Sequence, residues 1–77
     1  MHTFRAEGFE RSLEEIAGER VGVTSYRLGD VFVCKVDNVS PGANIARATG
    51  ATREEAREIA FAAAARRLAR TRRFPTT

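Results

Sequence analysis

The chain has 77 residues, 43% hydrophobic and 30% charged, with five Phe, two Pro and a net charge of +3, the balance of one small globular domain (1–77) rather than a disordered tail. A single cysteine, Cys34, excludes an internal disulfide framework and a cysteine-built metal centre, and a single histidine, His2, at the start of the chain argues against Ser-His-Asp or Cys-His chemistry. The charge is uneven: residues 1–38 hold five Lys/Arg against seven Asp/Glu, residues 39–77 hold eight Arg against three Glu, and Arg is the cation whose planar fork suits phosphate.

In chain order, Phe9, Leu13 and Ile16 recur at i, i+4 and i+7, the spacing of one helical face. This predicts a first helix from Arg5 to Ala17, closed by Gly18 as the glycine after its C-cap. Ser12 and Glu15 also fit a capping box, which would start a shorter helix at Leu13 and leave His2 to Ala6 as an edge strand. Val21 to Leu28 is rich in β-branched and aromatic residues, Gly29-Asp30 is a turn signal, and Val31 to Val36 reads as a second strand. Ser40-Pro41-Gly42-Ala43 has the signature of a type II turn. A short third strand from Ile45 to Thr49 ends at Gly50, where positive φ is expected. Alternation along the second strand predicts Phe32, Cys34 and Val36 in the core, with Tyr26 and Ile45 beside them, and Val31 and Val33 outward. Cys34 is expected to act as a small buried hydrophobe rather than a redox group.

The last element carries the strongest signals. Thr52 as N-cap and Glu55 at N3 form a capping box, and nothing breaks the helix from there to about Arg70. Ala56, Ala60, Ala63 and Ala64 gather on one side, flanked by Ile59, Phe61 and Leu68, so the helix is expected to lie close on a sheet. Pro75 places Phe74 past its end, with residues 1–4 and 74–77 loosely held. The fold class expected is α+β in the order α-β-β-β-α: a three-stranded antiparallel sheet, paired through short connections, with the long Ala-rich C-terminal helix packed on one face.

The stretch Ala46-Arg47-Ala48-Thr49-Gly50-Ala51-Thr52-Arg53-Glu54-Glu55-Ala56-Arg57 resembles the third strand and final-helix start of double-stranded RNA-binding domains. There a glycine and a small hydroxyl residue precede basic-basic-x-Ala-basic. The resemblance covers about residues 21–70. It implies that Arg53 and Arg57, four apart at the helix N-terminus, hold phosphates across the major groove. Glu54 stands where that family has its second basic residue, and the Leu28-Gly29-Asp30 loop lacks the family's minor-groove element. The same stretch is similar to HicB-like antitoxin domains, in which a Pro-Gly turn leads to Gly-x-Thr-x-Glu-Glu-Ala, here Pro41-Gly42 and Gly50 to Ala56. That likeness implies a protein partner.

The functional expectation is a small non-enzymatic module without cofactor or metal. In the first reading it binds double-stranded RNA without reading sequence, through Arg53 and Arg57, with Arg47, Arg66 and Arg67 adding nonspecific attraction. The alternative is a protein–protein module, HicB-like or a homodimer paired through its sheet. No acid–base constellation or Gly-rich phosphate loop argues for an enzyme. No apolar run approaches the roughly 20 residues of a membrane span, and the start lacks a signal-peptide core, which predicts a cytoplasmic protein with no membrane partner.

Overall fold

The computed structural model describes residues 6–39 and 43–72, with side chains through residue 70. The Ser40-Pro41-Gly42 turn, the break at Phe74-Pro75, the loosely held ends and residues 2–5 of the strand alternative lie outside the described residues. Among the described residues four strands precede one helix: β1 (Ala6–Ile16), β2 (Glu19–Leu28), β3 (Val31–Asn38), β4 (Asn44–Gly50) and α1 (Arg53–Arg72). The strands form one antiparallel meander in the order β1-β2-β3-β4. The α+β class, the antiparallel sheet and the C-terminal helix therefore hold.

The α-β-β-β-α order with three strands does not hold: the segment expected as a first helix is β1. A helix there would carry Gly8 in its interior, at a cost near 1 kcal/mol relative to Ala, and would present only three large apolar residues, Phe9, Leu13 and Ile16. As a strand the segment instead satisfies the backbone groups along the free edge of β2. Ile16 still reaches the core, at 7% exposure, beside Val21 and Val23 on β2. Gly18 closes a hairpin rather than a helix. Ile16 pairs with Glu19 across Ala17 and Gly18, whose φ values of 53° and 81° mark a two-residue turn of type I′. Ser12 caps nothing; its hydroxyl donates to Glu14 Oε2 at 2.9 Å.

Leu28 pairs with Val31 across Gly29-Asp30, with Gly29 at φ 65°. Positive φ at the first central position alone is the demand of a II′ turn. Two bulges adjust the outer strands. In β1 the register slips between Glu7 and Glu10, where Gly8 holds φ 64°. In β4 it slips beside Asn44, so that Ile45 and Ala46 both enter the core opposite Val36.

One face of the sheet carries the core. Val21, Val23, Cys34, Val36, Ile45, Ala46 and Ala48 meet Ala56, Ala60 and Ala64 of α1 there. Phe32, Cys34, Val36 and Ile45 lie on this side as expected. Tyr26 does not: it pairs with Val33, on the opposite face. Val33, expected outward, is on that face yet only 1% exposed, whereas Val31 is 40% exposed. The small alanine stripe lets α1 press on the sheet, and it does so over β4 and β3, touching β2 and β1 only lightly.

The capping box forms. Glu55 N–H donates to Thr52 Oγ1 (3.0 Å), and Glu55 Oε1 accepts from Ala51 N–H (2.6 Å), one residue earlier than in the usual reciprocal pair. Gly50 answers a need for space rather than for positive φ. A Cβ there would lie 2.7 Å from the backbone nitrogen of Ala56, so any side chain would push the first turn of α1 off the strand. No described helix is long and apolar enough to cross a membrane.

Candidate functional site

The cations singled out by sequence fall on two sides of the sheet. Arg53 and Arg57 share a helical stripe with Ala60 and Ala64, because 53, 57, 60 and 64 follow the i, i+4, i+7, i+11 pattern. They therefore lean toward the sheet. Since α1 sits over β3 and β4, their long side chains arch across to β1 and β2. Arg53 Nη1 donates to Ser25 Oγ at 2.7 Å and lies 3.4 Å from Glu10 Oε1, while Nη2 reaches Gly8 O at 3.5 Å. Its guanidinium stands 5.5 Å from the Phe32 ring centroid. Arg57 Nη2 lies 3.2 Å from Glu14 Oε2, and its guanidinium covers Phe61 at 4.3 Å.

These contacts shape the local electrostatics. The Ser12 hydroxyl first, and then Arg57, hold the Glu14 carboxyl below its ordinary range. Burial pushes the Cys34 thiol up, against a smaller opposing pull from Arg57. With no exposed surface, Cys34 is an unreactive core residue, as its strand position implied.

Arg66 and Arg67 are exposed on the second half of α1, remote in sequence from the helix N-terminus. Arg47 lies elsewhere again, on the face of the sheet that α1 leaves open. There the register lines up a row across all four strands: Arg11 opposite Thr24, Thr24 opposite Lys35, and Lys35 opposite Arg47. Side chains directly opposite in an antiparallel pair share a face, so three cations and a threonine form one cross-strand line.

Arg11 is engaged. Its guanidinium donates to Thr24 Oγ1 at 2.8 Å and to both oxygens of Asp37, at 3.2 and 3.3 Å. Asp37 raises its pKa further above the ordinary value. It reaches that carboxylate two strands away by lying over Gly22, where a Cβ would collide with both partners. Lys35 and Arg47 are left with no carboxylate partner among the described residues. Together with Tyr26, Asp37 and Asn44 they line a shallow hollow of about 400 Å³.

One step along the strands from the cation row, on the same face, Phe9 stacks on Tyr26 with ring centroids 4.8 Å apart and an interplanar angle of 26°. Phe9 is 62% exposed, and Leu13 on the same strand face is 56% exposed. Sequence reasoning missed this surface because it put Phe9 on a helix and Tyr26 in the core. The signal was present in Gly29-Asp30. A two-residue turn there fixes Leu28 opposite Val31, and so Tyr26 opposite Val33 and Thr24 opposite Lys35. Among the described residues no group of three His, Cys, Asp or Glu side chains is placed to hold a metal ion. Comparison with known protein families, with curated proteins and with solved structures finds no match to the chain.

Proposed function

We propose that the chain is a small non-enzymatic binding module that holds nucleic acid by its phosphates without reading sequence. One observation carries the reading: Lys35 and Arg47 stand directly opposite each other on adjacent strands, and among the described residues neither forms an ion pair, the nearby Asp37 being held by Arg11. Like charges so placed repel, and the sheet is better without them unless an anion spans both. A polyphosphate backbone supplies that anion and repays the contact through counterion release. The net charge of +3 and the exposed Arg66 on α1 act in the same direction at longer range. Arg53 and Arg57, whose donors are held by Glu10, Glu14, Ser25 and Gly8, take a secondary part in this reading. Double-stranded RNA is one polyanion the module would accept.

A second reading, a protein–protein module of HicB-like kind or a homodimer joined through its sheets, is favoured by the exposed Phe9 and Leu13 on the open face. Anisotropy titrations of labelled RNA and DNA, with duplexes of about 16 base pairs included, test the first reading. Affinity is expected to fall as salt rises from about 50 to 200 mM, and the double variant Lys35→Gln/Arg47→Gln is expected to lose most of it. No binding at the lower salt, with light scattering showing a dimer, would replace the first reading with the second.

A further inference from the structure

We infer that the open face of the sheet takes a single strand of nucleic acid, with a base stacked against the Phe9–Tyr26 pair and the neighbouring phosphates on Lys35 and Arg47. The inference rests on the nucleic-acid reading above and adds the substrate class and the site. Three features of this face argue for it. The first is the juxtaposition of unlike chemistries: an aromatic pair and a cation pair lie in adjacent cross-strand rows. Tyr26 and Lys35 are diagonal neighbours on adjacent strands, about 7–8 Å apart, while Phe9 and Arg47 extend the two rows outward on β1 and β4. The second is exposure. Phe9 stays 62% exposed while stacked on Tyr26, and an aromatic side chain exposed to water is a platform for any base. The third is the hollow lined by Tyr26, Lys35, Arg47, the Asn44 amide and Asp37, whose carboxylate is paired with Arg11.

A duplex meets this surface poorly. Its bases are stacked on one another and paired, so they leave Phe9 exposed, and only its phosphates are within reach of Lys35 and Arg47. A single strand satisfies both rows at once. The Arg11–Asp37 bridge ties β1 to β3 across Gly22, two residues along β1 from Phe9.

The test uses a property of the composition: the chain has no Trp and one Tyr, so its intrinsic fluorescence reports on Tyr26. Titration with an oligothymidylate of about 10 nucleotides is expected to quench that emission. It is also expected to bind more tightly than a DNA duplex of equal length at equal salt. Phe9→Leu, at an exposed position, is expected to weaken the single strand about fivefold or more while leaving duplex affinity unchanged. Lys35→Gln/Arg47→Gln is expected to weaken both and to flatten the salt dependence, with circular dichroism confirming that each variant is folded. A duplex bound as tightly as the single strand, unchanged Tyr26 emission at saturation, or an unaltered Phe9→Leu variant would overturn the inference while leaving the phosphate-binding function standing. A folded protein that binds neither ligand would overturn both. A dimer at working concentration that Phe9→Leu dissociates would assign the aromatic face to self-pairing and overturn the inference as well.

Discussion

Ala17 holds φ at 53° in the turn that joins β1 to β2, a conformation that places its Cβ against the following carbonyl and costs an L-residue about 1–2 kcal/mol. The next residue, Gly18 at 81°, accepts the same region freely. Ala17→Asn restores the Asn-Gly pair that a type I′ turn favours, without the added unfolded-state entropy a second glycine would bring. The substitution is expected to stabilise the fold by about 1 kcal/mol, read as a rise in the urea midpoint with unchanged slope. An equal or lower midpoint would contradict the turn geometry. The residue scale also shows why part of the site was hidden. Arg53 and Arg57 are four apart and so share a face, but Ala60 and Ala64 share it too, and that common stripe already implied side chains drawn toward the sheet rather than free at the helix start.

At the scale of elements, β1 and α1 are held together by charge more than by packing, through Glu10 with Arg53 and Glu14 with Arg57. Glu14 titrates below its ordinary value in the folded chain, so its ionised form favours folding. That contribution is complete above the ordinary carboxylate range and is lost as pH falls through the folded pKa. The difference in urea midpoint between the protein and Glu14→Gln is therefore expected to be largest near pH 6 and to shrink toward about pH 3. A difference independent of pH would mean that neither the Ser12 hydroxyl nor Arg57 favours the ionised Glu14 carboxylate.

The elements themselves were unevenly legible. The capping box at Thr52 and the unbroken alanine run carried α1, because local propensity and tertiary packing agree there. Strands β2 and β3 were readable from their β-branched runs and the Gly29-Asp30 turn. The β1 segment was not, because Phe9, Leu13 and Ile16 fit a helical period while Ser12 and Glu15 imitate a cap. What decided its state was the free edge of β2, a demand from outside the segment. Tyr26 was misplaced for a related reason: its face follows from cross-strand register, which the period along one strand does not reveal.

For the whole molecule, the governing feature is that the helix lies to one side. One face of the sheet is closed over β3 and β4 by small side chains, and the other is open and bears Phe9, Tyr26, Lys35 and Arg47. Core and proposed binding surface are thus divided by the thickness of one sheet. Substitutions on the open face leave the alanine stripe untouched, which makes the variants used to test binding compatible with a folded chain. Among the described residues the outer edge of β1 is unpaired over 11 residues, but its Glu and Arg side chains discourage strand addition by another chain.

The off-centre helix also sorts the backbone amides by how much of the fold must open to release them. Those of β3, between two strands and beneath α1, should trade their protons for solvent deuterium only when the chain unfolds globally. Those of β1 should do so in smaller openings that detach one hairpin arm and leave the rest closed. Native-state exchange followed by NMR is expected to rank Cys34 and Val36 slowest and residues 10–14 well ahead of them. Equal protection in both strands would mean that the side contacts of Arg53 and Arg57 bind the first strand as firmly as the core binds the third.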